Sequence, residues 1–279
     1  MKLLVAITTV NGPERVFAVW RSFQNFPPKT PVEFLIVDDG SDGHHVPITI
    51  DYMAKSIGAV VFRHQDPENR PMNLGIPAAW NSACSYAQVN GFSHVLMLND
   101  DVEILSGSVD AAVFFASKNK HVAIVGLPPY APSPSGLILH WPQSLPKDKP
   151  YLALYAMGCS FLLDVETWHQ VGEFDARFKS HFEDVDFGLR ILEIQKVTAV
   201  IPQGVLHGWS KTFASQPHLF GHLRLEVSRH LFHKKWGKTP AEFPIPSCID
   251  DGRTYEYVDL GGQHKIAPLK YARLGAVQE

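Results

Sequence analysis

The chain has few cysteines for its 279 residues, namely Cys84, Cys159 and Cys248. Their odd number and wide spacing fit neither a disulfide framework nor a zinc site with closely spaced ligands, which favours a reducing compartment. The chain also lacks any stretch near the ~20 apolar residues of a membrane-spanning helix, and the apolar run Leu3–Ile7 is too short for a secretory signal. We therefore expect a cytoplasmic protein without a transmembrane segment, and leave peripheral contact with a membrane open.

No charge of one sign dominates, because 25 Lys and Arg stand against 28 Asp and Glu, a formal net charge of −3. Nucleic-acid binding uses a basic surface that neutralises phosphates, so we expect no nucleic-acid partner. The 14 histidines are scattered and lack the tight ligand spacing of a metal-storage protein. At 45% hydrophobic residues, the chain is able to bury a full-sized core without disulfides.

Short apolar runs alternate with helical patterns in the first half, which is typical of an α/β protein with a parallel sheet. The predicted strands are Leu3–Thr8, Val32–Val37, Ala59–Arg63, Val95–Leu98 and Val122–Val125. The helices between them are expected from Pro13 to Pro27, around Ile50–Ile57, over Pro77–Asn90 and near Ser108–Asn119. The sequence therefore predicts a mostly parallel, doubly wound sheet with a small antiparallel extension.

The second half is less regular. Residues 128–150 are rich in Pro, Ser, Gly and Lys and predict a long loop that contains Trp141, and such loops in compact domains are usually functional or disordered. Tyr151–Leu163 predicts a strand pair or a strand bent at Gly158, with helices near Asp164 and after Glu183. A further helix is expected over Leu219–Trp236, and no clear element after Gly237.

Four polar clusters follow predicted strands or open predicted helices: Asp38–Asp42, Arg70–Pro77, Asn99–Asp101 and Phe182–Phe187. Each alone is compatible with a surface turn or with an acidic first helical turn. Open α/β sheets, however, bind ligands at the carboxyl ends of their strands. The neighbouring carboxylates of Asp100 and Asp101 repel each other unless a cation lies between them, which favours a divalent metal.

These four clusters, taken in order, resemble the family 2 glycosyltransferases, which have the GT-A fold of nucleotide-diphospho-sugar transferases. The stretch from Gly158–Phe161 through Gly172–Asp175 to Phe182–Asp186 looks like the rhamnosyltransferase-type branch. The resemblance covers residues 1–215 and implies one catalytic domain, with a nucleotide-binding half over 1–127 and an acceptor half over 151–215. Residues 216–279 are then expected to form a C-terminal helix and tail packed on that domain.

The resemblance implies an activity and its cofactor. The chain is expected to be an inverting enzyme that transfers a sugar, a hexose or rhamnose, from a UDP or dTDP donor to a hydroxyl of a glycan or similar acceptor. Mn²⁺ or Mg²⁺ is the expected cofactor. Asp101 occupies the place of the family's last metal-binding acid, and His207 that of a late histidine that completes the metal shell; imidazole favours manganese over magnesium. A lone histidine after a strand is also commonly just a hydrogen-bonded side chain.

The resemblance also implies roles for residues around the donor. Thr8 and Asp39 are expected to meet the nucleobase, with Asp39 accepting from the ring imide. The other expected donor contacts are Arg70, Asn73, Asn99, Asp100 and Lys211. Asn99 stands where the family usually has an acid, which lowers the local negative charge.

Asp184 matches the family's catalytic base, with Glu183 and Asp186 as neighbours that orient it or contact the acceptor. Like charges raise the pKa of such a carboxylate, which suits a base.

Two other functions stay open at this point. A sugar nucleotidyltransferase uses a related sheet, but it needs a Gly-rich basic phosphate loop, and Thr8–Arg15 offers one Gly and one Arg. A non-catalytic nucleotide-sugar or carbohydrate-binding protein on the same fold has little reason to retain Asp101, Asp184 and His207 together. Oligomeric state is not predicted.

Overall fold

The computed structural model describes residues 1–43, 45–133, 136–139, 149–208, 222–239, 242–243, 245–246, 255–258 and 265–269. Its main sheet contains eight strands: β1 (Leu3–Thr9), β2 (Val32–Asp38), β3 (Val60–Arg63), β4 (His94–Asn99), β6 (Val122–Gly126), β9 (Tyr151–Ala153), β10 (Ser160–Asp164) and β11 (Val197–Val200). The strands of the first half match the predicted runs to within one residue at each end. Continuous apolar runs form them because both faces of the sheet are covered by helices.

The sheet order is β3-β2-β1-β4-β10-β6-β11-β9. Strands β3, β2, β1 and β4 run parallel, whereas β10 runs antiparallel between β4 and β6, and β9 runs antiparallel to β11. The predicted α/β fold is confirmed as a mixed sheet, and one antiparallel strand lies inside it, not in a peripheral extension. Phe161, Leu162 and Leu163 of β10 are all buried, so both faces of this strand are covered.

In the part of the chain that the structure describes, six helices flank the main sheet: α1 (Pro13–Asn25), α2 (His45–Ile57), α3 (Ile76–Val89), α4 (Ser108–Lys118), α5 (Val165–Val171) and α6 (Glu183–Glu193). The apolar faces of α1, α2 and α4 pack in one core cluster with β1 and β4 side chains. The second cluster combines α3, α5 and α6 with the opposite face of the same strands. Trp80 of α3 is fully buried there, with Phe161 and Phe174 edge-on to its ring.

A second sheet contains, in spatial order, β5 (Val102–Ile104), β12 (Val205–His207), β7 (Pro129–Ser133) and β8 (Gly136–Leu139), and its last two strands correct part of the predicted long loop over 128–150. Strands β7 and β8 form an antiparallel hairpin within that range. Because these strands contain Pro and Gly, the hydrophobic periodicity of the sequence does not identify them as strands. Strand β12 pairs with β7 and with β5, and this pairing sets His207 opposite Val102. Trp141 lies outside the described residues.

The predicted C-terminal helix is present as α7 (His222–Trp236) and packs against Leu154, Phe178 and the α6 residues Val185 and Leu189. Its Phe232 is fully buried against Phe178, Phe182 and Phe243. The prediction of no element after Gly237 is wrong, because β13 (Ile245–Pro246), β14 (Tyr255–Val258) and β15 (Lys265–Leu269) form an antiparallel sheet. These strands are too short for alternation to be recognised in the sequence. Among the described residues, no helix has the length and apolar character needed to cross a membrane.

Candidate active site

The first two predicted clusters form one unit at the end of β2. Both oxygens of the buried Asp39 carboxylate are engaged: Oδ1 accepts from Leu74 N at 2.9 Å and contacts His64 Nδ1 at 2.7 Å. Oδ2 accepts from Asn73 Nδ2 at 2.8 Å and from Gly75 N at 2.9 Å. A carboxylate offers about four acceptor sites. The protein itself therefore occupies the acceptor capacity of Asp39.

Two glycines allow this close packing. Gly40 has φ +81°, and a Cβ there would lie 2.4 Å from the backbone carbon of Met72. Gly75 has φ +98°, and a Cβ there would lie 2.5 Å from the carbonyl oxygen of Lys179. Because only glycine tolerates both the left-handed backbone and the contact, the Asp-Asp-Gly and Asn-x-Gly patterns are local requirements of the fold.

Asp38 supports the turn that follows β2. Its fully buried carboxylate accepts from Ser41 N at 2.8 Å and pairs with Arg63 Nε at 2.7 Å. Arg63 in turn pairs with Asp51 of α2 at 2.9 Å. The Asp38–Arg63 pair therefore anchors the ends of β2 and β3 to α2.

The structure places a different arginine beside Asn73 from the one that the sequence suggests. The Arg70 side chain is 72% exposed and pairs with Asp66 and Glu68 in a surface turn. Arg224 of α7 instead reaches the loop, where its Nη2 donates to Asn73 Oδ1 at 3.2 Å. Burial lowers the pKa of the Arg224 guanidinium, and the nearby Asp39 charge opposes this effect. Nothing in the sequence around Arg224 signals this contact, which depends on how α7 packs.

The third cluster lies at the end of β4, beside β1. Thr8 Oγ1 donates to Asn99 Oδ1 at 3.2 Å, which brings these two predicted donor contacts together. The Asp100 carboxylate points inward, where its Oδ2 accepts from Thr9 Oγ1 at 2.6 Å and pairs with Arg15 at 3.0 Å. Burial raises the pKa of Asp100, and the charge of Arg15 opposes that shift. Asp100 thus stabilises the end of β4. Because its carboxylate points into the protein, it is not placed to contact a sugar-nucleotide donor.

Asp101 and His207, the predicted metal ligands, lie side by side. His207 Nε2 is 3.3 Å from Asp101 Oδ1, and Gly208 N donates to the Asp101 carbonyl at 2.7 Å. Asp101 Oδ1 is buried and makes no hydrogen bond within the described part of the chain. A buried oxygen without a donor, beside an imidazole nitrogen, fits a first-row divalent cation. Among the residues described, however, no group of three or more His, Cys, Asp and Glu is arranged to hold a metal ion.

The fourth cluster begins α6, where Glu183 and Asp184 differ in their surroundings. Asp184 accepts from Gly158 N at 3.1 Å and from Val185 N at 2.8 Å, and burial raises its pKa to about 6. Glu183 is 5% exposed, and its Oε2 has no hydrogen-bond partner among the described residues. Burial, followed by the Asp184 charge, raises the pKa of Glu183 well above its ordinary value.

The segment before α6 has an unusual backbone. Lys179, His181 and Phe182 all have positive φ, at +61°, +72° and +69°. Left-handed conformations in non-glycine residues typically cost about 1 kcal/mol or more and are often found at functional sites. Helix α7 holds this segment, because Ser228 Oγ lies 2.6 Å from the Phe178 carbonyl and 2.7 Å from that of Ser180.

Asp186 faces away from Asp184. Its fully buried carboxylate pairs with Arg190 at 3.0 Å and Lys235 at 2.7 Å, and accepts from Trp236 Nε1 at 2.9 Å. Three donor groups from α6 and α7 therefore bind the Asp186 carboxylate. The geometry gives Asp186 a structural role in docking α7, in place of the expected role of orienting Asp184 or contacting the acceptor.

The loop before β10 connects the third cluster with the fourth. Asn99 N donates to the Cys159 carbonyl at 3.0 Å, and the preceding residue, Gly158, donates to Asp184. Asp101 and Asp184 are both close enough to add to the rise in the pKa of the Cys159 thiol, which burial brings to about 12. Asp101, His207 and Asp184 therefore lie at one end of the sheet, on the two sides of Gly158–Cys159. Lys211, the remaining predicted donor contact, lies outside the described residues.

The model of a family described as glycosyl transferase family 2 matches residues 4–185. The fold resembles that of GalNAc-T7 crystallised with UDP, GalNAc and Mn²⁺, with TM-score 0.60, 16% identity, and coverage of 86% of this chain and 55% of that one. It also resembles the Pyrobaculum calidifontis mannosyltransferase PcManGT in complex with GDP-Man and Mn²⁺, with TM-score 0.59, 15% identity, and coverage of 86% and 66%.

A third similar structure is residues 1–349 of S. aureus TarS in complex with UDP-GlcNAc, with TM-score 0.55, 16% identity, and coverage of 86% and 74%. The chain spans about half the length of the first two structures it matches, GalNAc-T7 at 55% and TarS at 44%. No curated protein matches it in sequence. At these identities the likeness confirms the GT-A fold.

Proposed function

The chain belongs to glycosyl transferase family 2, and we propose that it is a metal-dependent, inverting glycosyltransferase. It transfers a hexosyl or rhamnosyl group from a UDP- or dTDP-sugar donor to a hydroxyl of a glycan or similar acceptor. The observation that carries this proposal is the arrangement around Gly158. It brings Asp184, a carboxylate with a pKa raised to about 6, to the same sheet end as the Asp101–His207 pair.

Asp101 and His207 are the residues that would hold the metal. These are the two candidate ligands among the described residues, so a bound divalent cation would need further oxygen ligands from outside the protein, which a donor diphosphate would offer. The chemistry of a bound Mn²⁺ or Mg²⁺ is Lewis-acid neutralisation of charge on the departing diphosphate. The imidazole of His207 favours Mn²⁺, because magnesium prefers oxygen ligands.

Asp184 is the proposed general base. As the acceptor oxygen attacks the anomeric carbon, Asp184 takes the proton from the acceptor hydroxyl, a contribution of typically ~10²–10⁴-fold. A pKa of about 6 leaves the group ionised at neutral pH and more basic than an ordinary aspartate. The Gly158 N–H fixes the orientation of Oδ2. One base and direct displacement imply inversion at the anomeric carbon.

Glu183 is the proposed partner of this base. Its carboxyl is buried directly before Asp184 in the chain, and its raised pKa keeps it protonated after an ordinary glutamate has ionised. Because the protonated Glu183 is neutral, Asp184 does not experience the repulsion of a second full negative charge. Glu183 is therefore a positioning residue for the base in this proposal.

The donor nucleotide is proposed to lie across the ends of β1, β2 and β4. Thr8 and Asn99, which share a hydrogen bond, are the proposed contacts near β1 and β4. Asn73 is the proposed contact near β2, held there by Asp39. Asp100 and Arg70 form ion pairs within the chain, so we give neither a donor contact. Lys211 stays a sequence-based prediction.

The direct test is turnover of nucleotide sugars. The protein is incubated with Mn²⁺, a panel of UDP- and dTDP-sugars and a mixture of simple glycan acceptors, and released nucleoside diphosphate is measured. Metal-dependent release from one donor, enhanced by an acceptor, is the expected result. Donor binding without release under any of these conditions would favour a non-catalytic nucleotide-sugar-binding protein on the same fold.

A further inference from the structure

The backbone that leads into α6, residues 178–182, has a conformation that needs support. Three of its five residues have positive φ, between +61° and +72°, although none of them is glycine. Backbone of this kind persists only where the surrounding contacts hold it. The Phe182 carbonyl accepts from Asp186 N at 2.9 Å in the first turn of α6. The contacts that hold this segment therefore also fix the place of Asp184 in that turn.

Ser228 of α7 holds the segment by its backbone. Its fully buried Oγ lies 2.6 Å from the Phe178 carbonyl oxygen and 2.7 Å from the Ser180 carbonyl oxygen. A hydroxyl has one proton, so these two acceptors share a single donor. Because buried carbonyl groups need hydrogen-bond donors, removal of this hydroxyl favours rearrangement of the segment.

Two further contacts hold the same segment, and neither fixes the orientation of these carbonyl groups. The ring centroid of Phe232 lies 6.4 Å from that of Phe178 and 5.7 Å from that of Phe182, and apolar packing of this kind is non-directional. The Lys179 carbonyl faces away from α7 and accepts from Ile76 N at 2.9 Å. The serine hydroxyl instead gives α7 a directional contact with the backbone before α6.

The proposed donor contact at β2 is held separately from this segment. Asn73 donates to the Asp39 carboxylate at 2.8 Å, a bond that does not involve the Ser228 hydroxyl. Asp184, in contrast, follows the segment directly along the chain. Its Oδ2 accepts from Gly158 N at 3.1 Å, so a small shift of the first turn of α6 is enough to break this bond.

We propose that Ser228 is a positioning residue for catalysis, which holds the backbone before α6 so that Asp184 meets the acceptor hydroxyl. This inference rests on the proposed function, in which Asp184 is the base. Ser228 lies beyond residues 4–185, which the family model matches, so α7 contributes to the active site from outside that region. A displacement of about 1 Å in a reacting group can cost ~10²-fold in rate. Loss of the hydroxyl should therefore lower kcat and leave donor affinity unchanged.

The test compares Ser228→Ala with Ser108→Ala in the full chain. Ser108 is the matched control, because its side chain is also fully buried and donates to a main-chain carbonyl, that of Leu105, at 2.8 Å. Turnover is measured by nucleoside diphosphate release with Mn²⁺ and saturating donor and acceptor, and donor affinity by calorimetry. Ser228→Ala is expected to lose tenfold or more in kcat, with the donor Kd within about twofold of wild type. Ser108→Ala should retain both values within about twofold.

Hydrogen exchange followed by mass spectrometry reports the segment itself. In Ser228→Ala, the amides of residues 178–186 should exchange at least tenfold faster than in the wild type, and in Ser108→Ala at the wild-type rate. Ser228→Cys is the second variant, in case the alanine variant does not fold. A thiol occupies similar space but is a weak donor, so kcat should fall at least threefold with unchanged donor Kd.

The outcomes separate the inference from the proposed function. A wild type that transfers no sugar overturns both. An active wild type whose Ser228→Ala variant keeps its kcat overturns the inference alone. The same holds if the variant loses kcat and donor affinity by equal factors, because Ser228 then stabilises the fold without positioning the base. Thermal melting confirms that each variant is folded at the assay temperature.

Discussion

Gly158 donates its backbone N–H to Oδ2 of Asp184 across 3.1 Å. This bond joins the loop before a central antiparallel strand to the first turn of α6, two parts of the chain separated by 26 residues. Glycine is required at 158, since a Cβ there would lie 2.8 Å from the ring of the buried Trp80. The orientation of the proposed base therefore depends on the core beneath it.

Asp184→Asn should abolish transfer and preserve donor binding. The amide retains the shape of the side chain but is unable to take a proton, so kcat should fall by ~10²–10⁴-fold. Turnover measured by nucleoside diphosphate release, beside donor affinity measured by calorimetry, separates the two effects. Wild-type turnover in this variant would show that another group is the base.

The pH dependence of kcat/KM should report the ionisation of Asp184. Because burial raises the pKa of Asp184 to about 6, kcat/KM should rise about tenfold per pH unit below pH 6 and level off above it. The apparent value belongs to the Glu183–Asp184 pair. A profile that stays flat from pH 5 to 8 would contradict the assignment.

Glu183→Gln should stabilise the protein increasingly as pH rises. In the wild type, the folded state holds the Glu183 proton to higher pH than the unfolded chain does, because its pKa is raised well above 4.5. That contribution to stability is present below pH 4.5 and is lost as pH rises through the folded pKa. The glutamine side chain of the variant is neutral at every pH, so the variant does not lose stability in this way. Thermal melts of both proteins at pH 5 and pH 8 check this, and a constant difference between them would contradict it.

Asp186→Asn should destabilise the fold by about 2–4 kcal/mol, because it leaves Arg190 and Lys235 without their buried carboxylate. Urea unfolding measures the change. The control is Glu226→Gln in the surface pair with Arg229, where we expect less than about 1 kcal/mol. Equal stability of the two variants would mean that Asp186 does not hold α7.

Much of the α/β half could be predicted because its strands are short apolar runs that end in polar residues. Asp38–Asp39 and Asn99–Asp101 lie at strand ends for that reason. Asp184 and Asp186 could also have been distinguished from the sequence. Residues two positions apart in a helix point about 200° apart, so these two side chains face opposite sides. The sequence did not reveal Arg224, because its partner Asn73 lies 151 residues away and the contact depends on the packing of α7.

The pairing of His207 with Asp101 could be anticipated only through the family resemblance. The second sheet creates it, because β12 pairs with β5 and sets His207 opposite Val102, the residue after Asp101. Long-range strand pairing of this kind leaves no periodic signal. The same holds for the hairpin of β7 and β8, whose prolines and glycines predicted a loop.

The most direct test of the proposed metal-dependent donor site is calorimetric titration of UDP- and dTDP-sugars into the wild type and Asp101→Asn, with and without Mn²⁺. We expect Mn²⁺ to tighten donor binding to the wild type at least tenfold and to have no such effect on the variant. The amide substitution keeps the size of the side chain but removes the charged ligand beside His207. Donor binding that is equally tight without metal, or a metal effect that survives in Asp101→Asn, would contradict the proposed metal-dependent donor site.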